Sequence, residues 1–412
     1  MKYGCIGERL SHSFSKEIHN AFADYEYELC EIAREKFEAF ATRADFSAIN
    51  VTIPYKEQII PYLYSIDEHA RAIGAVNTVV NRAGRLYGYN TDFYGMKELA
   101  RHAGVELGER KVAILGTGGT AKTAYAVASA SGAREILRVS RSKKKGVVDY
   151  EELYSSHADV EIIINTTPVG MYPDSFSKPV ELSRFPRMCG VLDAIYNPLR
   201  TPLILEARRL GIPAEGGLYM LVAQAVRASE IFTDTTYPEG EIERVYKKIS
   251  REKENIVLIG MPASGKSTVG RLLSMQTGRE LTDTDELIVE DSGMEIKDLF
   301  ARYGEEHFRR LECEAVRRAA AKTSRIIATG GGAILKKENV EALAENGRIY
   351  FIDRPLSLLV PTDSRPLSSD RESIERRYAE RYDRYVTSAD ARVDGAPEAA
   401  EVAKTIIEDF YK

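Results

Sequence analysis

Cysteine is scarce in this chain. Cys5, Cys30, Cys189 and Cys313 are the full complement among 412 residues, and none stands in a Cys-x-x-Cys or other zinc-binding spacing. A disulfide framework and a structural zinc site are thereby excluded, and the four are expected to be reduced thiols of a cytoplasmic protein. An excess of basic charge is also lacking. With 57 Lys plus Arg against 62 Asp plus Glu, the formal net charge is -5 and the pI is near 5.9. That balance argues against nucleic acid or an anionic membrane as the main partner, while small anions can still be held at local sites. No apolar run is long enough to span a bilayer and no signal peptide is expected. Low-complexity tracts and short-period repeats are absent as well.

Against these absences, one stretch stands out. Asn255-Ile-Val-Leu-Ile-Gly260-Met-Pro-Ala263-Ser264-Gly265-Lys266-Ser267-Thr268 is an apolar strand feeding a glycine-rich turn, followed by the helix-forming Val269-Gly-Arg-Leu-Leu-Ser-Met. Its spacing is that of a P-loop. Backbone N–H groups at a helix N-terminus cradle a polyphosphate, the lysine neutralises the outer phosphates and the serine hydroxyl reaches Mg2+. P-loop domains usually begin with this strand, so about 250 residues in front of it belong to something else. The length suits about three domains.

The first part alternates strand and helix signals, the grammar of an α/β domain. Lys2 to Gly7 reads as a short strand. Leu10-Ser-His-Ser13-Phe-Ser15-Lys16 is a polar loop entering a helix, where paired serines can also serve as an N-cap. Ala48-Ile-Asn50-Val-Thr52-Ile-Pro54-Tyr-Lys56 is a strand with polar residues at alternate positions, so Asn50 and Thr52 share a face suited to a small hydrophilic ligand. Gly74-Ala-Val-Asn77-Thr78 and Gly88-Tyr-Asn90-Thr91-Asp92 place further Asn-Thr pairs beside apolar strand residues.

Together these motifs resemble the substrate domain of the shikimate dehydrogenase family. The resemblance implies that Ser13 and Ser15 hold the substrate carboxylate, that Asn50, Thr52, Asn77 and Asp92 hold ring hydroxyls, and that Lys56 and Asp92 are the catalytic pair. A lysine ammonium positioned by a carboxylate suits ketone reduction, because the developing alkoxide needs a proton. The family usually has proline where this chain has Lys16, which bears on helix entry rather than on the serines.

A second module follows. Arg110-Lys-Val-Ala-Ile-Leu-Gly116-Thr-Gly118-Gly119-Thr120-Ala121 is a strand and G-x-G-x-x-A turn entering a helix, and the next strand ends in Ser140-Arg141-Ser142-Lys143. A hydroxyl and a cation cluster there suit the 2'-phosphate of NADP(H), where an NAD site would place an acid. Asn165-Thr166-Thr-Pro-Val-Gly-Met171 resembles the family's nicotinamide-side loop, and Asp193 to Pro202, with Tyr196, another of its active-site strands. Gly217 precedes a helix that in the family returns to the substrate domain, with Gln224 touching substrate. Glu239 to Glu254 is highly charged with apolar residues at helical spacing and is expected to be a solvent-facing connector helix.

Beyond the P-loop, Leu281-Thr-Asp283-Thr-Asp285 places two carboxylates on one side of an expected strand end, and Arg325-Ile-Ile-Ala-Thr-Gly330-Gly331-Gly332 ends a strand in glycines where an acid is usual. This part resembles the shikimate kinase family, which makes the same substitution. The resemblance implies Gly260, Ala263, Ser264, Gly265, Lys266, Ser267 and Thr268 for ATP, and Ser267 with Asp283 for Mg2+. It gives Asp285 the acceptor hydroxyl, with Arg309, Arg381, Gly331 and Gly332 for shikimate, and Arg365 in a short lid for phosphoryl charge.

The expected architecture is therefore α/β throughout: a two-lobed dehydrogenase with an α/β substrate lobe (1-98 and 216-238) and a Rossmann NADP lobe (99-215), a connector (239-254), and a P-loop α/β/α kinase domain with a parallel sheet (255-412). The expected small-molecule partners are 3-dehydroshikimate and shikimate, with no nucleic acid and no membrane, in a monomer or homodimer. A quinate-accepting, NAD-linked dehydrogenase and a non-catalytic sensing P-loop domain are the alternatives.

Overall fold

The computed structural model describes residues 1–10, 13–142, 145–360 and 371–412. The chain forms two compact units, Met1–Ser250 and Arg251–Lys412. Lys143 and Arg365, both expected at binding sites, lie outside the described residues.

The first unit holds two sheets. The first comprises β1 (Tyr3–Gly7), β2 (Tyr27–Glu31), β3 (Ala48–Val51), β4 (Ser65–Ile66), β5 (Thr78–Arg82) and β6 (Arg85–Tyr89), in the order β2-β1-β3-β5-β6-β4. It is mixed: β1 is parallel to β2 and β3, whereas β5 runs antiparallel to β3 and β6. The second sheet is parallel throughout, with β7 (Lys111–Leu115), β8 (Glu135–Val139), β9 (Ile162–Asn165), β10 (Gly190–Asp193) and β11 (Ala214–Glu215) in the order β11-β10-β9-β7-β8. Its direction of winding reverses at β7. A crevice opens there at the carboxyl ends of the strands, where doubly wound sheets bind their ligands. β7, β9 and β10 are buried along their whole length, which explains their continuous apolar runs.

Two helices join the lobes of this unit. Thr91–His102 packs against Leu218–Thr233, and the approach is close: a Cβ on Gly95 would sit 2.6 Å from the Met220 carbonyl oxygen. That packing sets Thr91, Asp92 and Gln224 beside one another. The helix Glu241–Lys253 departs from expectation. Val245 and Ile249 are fully buried, in a cluster with Phe14, Ile18, Leu218 and Val222. It is therefore not a merely solvent-facing connector. Its apolar stripe completes the core of the first unit, at about 1.5–3 kcal/mol per buried side chain.

The second unit is built on a parallel sheet of β12 (Asn255–Ile259), β13 (Glu280–Asp283), β14 (Arg325–Ala328), β15 (Gly347–Asp353) and β16 (Ala391–Asp394), ordered β13-β14-β12-β15-β16. Apolar clusters cover both faces of β12, with Val257 and Ile259 in one and Ile256 and Leu258 in the other. Among the described residues, no helix is long and apolar enough to cross a membrane.

Candidate active sites

A cavity of about 440 Å³ in the first unit gathers residues from both lobes. Ser13, Ser15, Asn50, Thr52, Lys56, Asn77, Asp92 and Gln224 line one side, and Thr120, Tyr196 and Gly217 the other. Neither serine holds the N-cap position of the helix Ser15–Asn20, which falls to Phe14, and Ser13 Oγ accepts from the Ser15 N–H at 3.3 Å. The Ser13 hydroxyl lies 3.1 Å from that of Ser15. Lys56 Nζ donates to Asp92 Oδ2 at 2.6 Å, with the two side chains only 23% and 16% exposed. Asp92 occupies the first turn of its helix, where the N-terminal dipole favours a carboxylate.

Behind this pair the amides are locked by hydrogen bonds. Asn50 accepts from the Tyr27 hydroxyl (2.7 Å) and donates to the Asn77 carbonyl (3.3 Å) and Thr78 Oγ1 (3.2 Å). Asn77 Oδ1 accepts from Thr91 N (2.7 Å), and Thr91 Oγ1 donates to Gln224 Oε1 (3.3 Å). Such a network holds polar groups ready for a ligand at little reorganisation cost. Sequence reasoning missed Tyr27 as one of its supports and named Thr78 only as half of an Asn-Thr pair. Thr91 was visible within Asn-Thr-Asp, but Tyr27 reaches Asn50 only through sheet pairing. Cys5 also lines the cavity, and burial pushes its thiol up to about 12, so it stays protonated and inert.

The glycine-rich turn follows β7. Gly116 has φ 110°, and a Cβ there would lie 2.7 Å from Thr166 Oγ1, itself donated to the Leu115 carbonyl at 2.5 Å. Gly118 caps the helix Gly119–Ala130, and a Cβ on Gly118 or Gly119 would meet nothing within 4 Å. Space is thus open beside the first turn, where Thr120 lines the cavity, as close approach of a pyrophosphate to a helix N-terminus requires. Ala121 is buried in the core beneath the turn and also lines a second cavity beside Thr117 and Arg138. Ser140 and Arg141 follow β8 directly, Arg141 exposed, and Met171 is 44% exposed.

In the second unit, Gly260, Ala263 and Gly265 all have positive φ (151°, 63° and 93°), curling the loop after β12 into a nest of N–H groups. Ser264 is buried within it and Thr268 is exposed on the helix that follows. Lys266 is buried, its Nζ donating to the carbonyls of Gly260 and Met261 at 2.9 Å each. The Ser267 hydroxyl donates to Asp283 Oδ2 at 2.6 Å. A hydroxyl and a carboxylate side by side are hard oxygen donors of the kind that suits Mg2+ shared with phosphates. Asp285 does not lie on the strand: β13 ends at Asp283, which caps the helix Thr284–Ser292, and Asp285 sits in that helix's first turn.

The glycine run makes room for charged groups. A Cβ on Gly330 would meet Asp285 Oδ1 at 2.5 Å, and one on Gly332 would meet Arg309 Cζ at 2.6 Å. Arg381 Nη1 donates to the Gly331 carbonyl (3.2 Å), and so does the Tyr385 hydroxyl (2.5 Å). Arg309 Nη1 donates to Glu312 Oε2 at 2.7 Å, while its Nε and Nη2 share Glu305 Oε1 at 3.2 and 2.9 Å. Burial raises the Glu312 pKa, against the pull of Arg309. Glu312 anchors Arg309 from its buried side while Glu305 occupies its exposed edge, and only Glu312, the fifth residue of the run Phe308-Arg-x-x-Glu312, stands in a sequence pattern that signalled it.

Comparison with known proteins follows the same division. The family described as "Shikimate dehydrogenase substrate binding domain" matches residues 5–79, and the family described as "Shikimate kinase" matches residues 262–411. A shikimate dehydrogenase (NADP(+)) of Clostridium perfringens is 35% identical over 271 residues, covering 60% of this chain and 97% of the relative. Among solved structures, shikimate dehydrogenase 1 of Peptoclostridium difficile superposes with a TM-score of 0.55 at 35% identity, covering 60% of this chain and 98% of that one. The Thermus thermophilus enzyme, solved in complex with NADP(H) and shikimate, gives a TM-score of 0.54 at 26% identity, covering 60% of this chain and 99% of that one.

Proposed function

The chain belongs to the shikimate dehydrogenase family and carries a shikimate kinase domain in the same polypeptide, a bifunctional shikimate-pathway enzyme, and from this we propose how its residues divide the work. The first unit reduces 3-dehydroshikimate with NADPH, and the second phosphorylates the resulting shikimate at its 3-hydroxyl with MgATP. The oxygen made nucleophilic in one site is thus the one phosphorylated in the other. The observation that carries this reading is the 2.6 Å Lys56–Asp92 pair lining a polar cavity, in one polypeptide with a P-loop whose serine is bonded to Asp283.

In the reduction, NADPH supplies the hydride. Lys56 delivers the proton to the carbonyl oxygen as it gains negative charge, and Asp92 orients the ammonium and supports its reprotonation. Ser13 and Ser15 hold the carboxylate, while Asn50, Thr52, Asn77 and Gln224 fix the ring hydroxyls. Ser140 and Arg141 take the 2'-phosphate that separates NADPH from NADH. In the phosphorylation, Asp285 orients the 3-hydroxyl and accepts its proton as the new P–O bond forms and ADP leaves. Arg309 and Arg381 hold the carboxylate, and Lys266 follows the phosphates. Ser267 and Asp283 are the residues that would hold Mg2+, which spreads phosphate charge when bound.

One incubation tests the scheme. The chain is supplied with 3-dehydroshikimate, NADPH and MgATP, and shikimate 3-phosphate is the expected product. Lys56→Ala should stop NADPH oxidation yet still phosphorylate added shikimate, and Asp285→Asn should do the reverse. Absence of shikimate-dependent ADP release would leave the second unit a non-catalytic domain and refute the scheme, and faster turnover with NADH would refute the role of Ser140 and Arg141.

A further inference from the structure

The charges lining the redox cavity do not balance. Among its described lining residues, Lys56, Asp92 and Arg9 are charged. Lys56 and Asp92 are paired at 2.6 Å and largely cancel. The serines facing the substrate carboxylate are neutral, and the proton of the Ser13 hydroxyl points to Ser15 at 3.1 Å. A carboxylate leaving water for that wall meets hydroxyls but no opposing charge from them.

Arg9 stands on the same wall. The segment carrying it is tied to the sheet on both sides: Glu8 N donates to the Ile53 carbonyl (3.3 Å), Leu10 N donates to Glu31 Oε1 (2.7 Å), and Ser13 N returns to the Leu10 carbonyl (3.0 Å). Arg9, Leu10, Ser13 and Ser15 therefore form one stretch of lining. The neighbouring Glu8 carboxylate is taken by Arg34, whose Nε and Nη2 reach its two oxygens at 3.0 and 3.1 Å. Both oxygens of Glu8 are thus engaged by a different cation. The side chain of Arg9 is exposed at the cavity mouth, so its field acts partly through solvent.

We propose that Arg9 is a specificity-determining residue of the dehydrogenase unit: it gives the cavity its net positive charge and selects substrates that carry a carboxylate at the end held by Ser13 and Ser15. The proposal rests on the reading that those serines face the carboxylate. It is an electrostatic role, distinct from the proton transfer of Lys56, and it acts on capture and affinity rather than on the chemical step.

The test is NADP+-linked oxidation of shikimate and of its neutral methyl ester by the full chain, comparing Arg9→Gln and Arg9→Lys with the parent. At low ionic strength Arg9→Gln should raise KM for shikimate about five-fold, Arg9→Lys should restore most of it, and added salt should narrow the gap. With the methyl ester, parent and Arg9→Gln should have the same KM, or the same inhibition constant if the ester is not oxidised. An unchanged KM for shikimate overturns the proposal, and so does an equal loss for acid and ester, which would mark Arg9 as a loop-packing residue. Ser13→Ala separates the two levels: if it leaves the KM for shikimate unchanged, the underlying reading of the wall fails, whereas a raised KM there with a neutral Arg9→Gln sinks the role of Arg9 alone.

Discussion

One methyl group added at Gly332 should abolish most of the kinase activity and spare the dehydrogenase. The backbone there has φ -101°, which alanine adopts freely, so the effect is steric. A Cβ at this position would lie 2.6 Å from Arg309 Cζ and nearer still to Nη1, against an ordinary separation of about 3.5–4 Å. The guanidinium must move by about 1 Å or more, and it is pinned: Nη1 to Glu312 at 2.7 Å, Nε and Nη2 to Glu305. Glu312 has a side chain only 1% exposed, so moving Arg309 away leaves a buried carboxylate without its cation. Breaking such a pair costs about 3–5 kcal/mol. That cost falls on stability; the loss of activity comes from the displaced guanidinium's charge-assisted bonds to the substrate carboxylate, roughly 2 kcal/mol, or about 30-fold in kinase kcat/KM. The assay is shikimate-dependent ADP release at saturating MgATP, with NADP+-linked oxidation of shikimate by the same preparation as the internal control. A kinase kcat/KM within threefold of the parent would refute the argument that Gly332 exists to seat Arg309, and a parallel fall in both activities would show general damage instead.

Two further outcomes follow from the same geometry. Glu305 is half-exposed and occupies the Nε and Nη2 edge of Arg309, the edge that a substrate carboxylate would take. Glu305→Gln should lower the kinase KM for shikimate about two- to fivefold with little change in kcat, since an exposed pair is worth up to about 1 kcal/mol; a higher KM in a substrate titration would mean that Glu305 serves to aim Arg309. In the first unit, burial pulls the pKa of His19 down from 6.5 to about 3. The unfolded chain therefore takes up a proton below about pH 6.5 that the folded chain refuses until about pH 3, so stability is complete above that window and falls as the pH drops through it, by up to about 1.4 kcal/mol per pH unit. Denaturant midpoints of the redox unit measured from pH 7 to 4 should fall less steeply in His19→Gln than in the parent, and equal slopes would refute the assignment.

Contiguous motifs were readable before any coordinates because their function is a property of the local backbone. The run from Gly260 to Thr268 bends into an anion-binding nest through the φ values of three neighbouring residues, and the turn from Gly116 to Ala121 opens a helix whose free N–H groups need no distant partner. Pairs on short elements were nearly as legible, since Ser267 and Asp283 lie on the helix and strand that flank one crossover. The sequence by itself therefore determined the chemistry of each half and the order in which the halves come.

Tertiary structure alone decided which residues support that chemistry. Tyr27 reaches Asn50 because β2 and β3 flank β1, and Arg309 reaches Gly332 because its helix packs against the turn Ala333–Leu335 that follows the glycines; neither approach leaves a trace in local spacing. Burial acted in the same way. The charged segment from Glu241 to Lys253 presents an apolar stripe whose partner is specified far away in the chain, so only packing could turn Val245 and Ile249 into core. The charge of Arg9 gains its meaning from the cancellation of Lys56 by Asp92, a balance of fields set by distance through space rather than by distance along the chain.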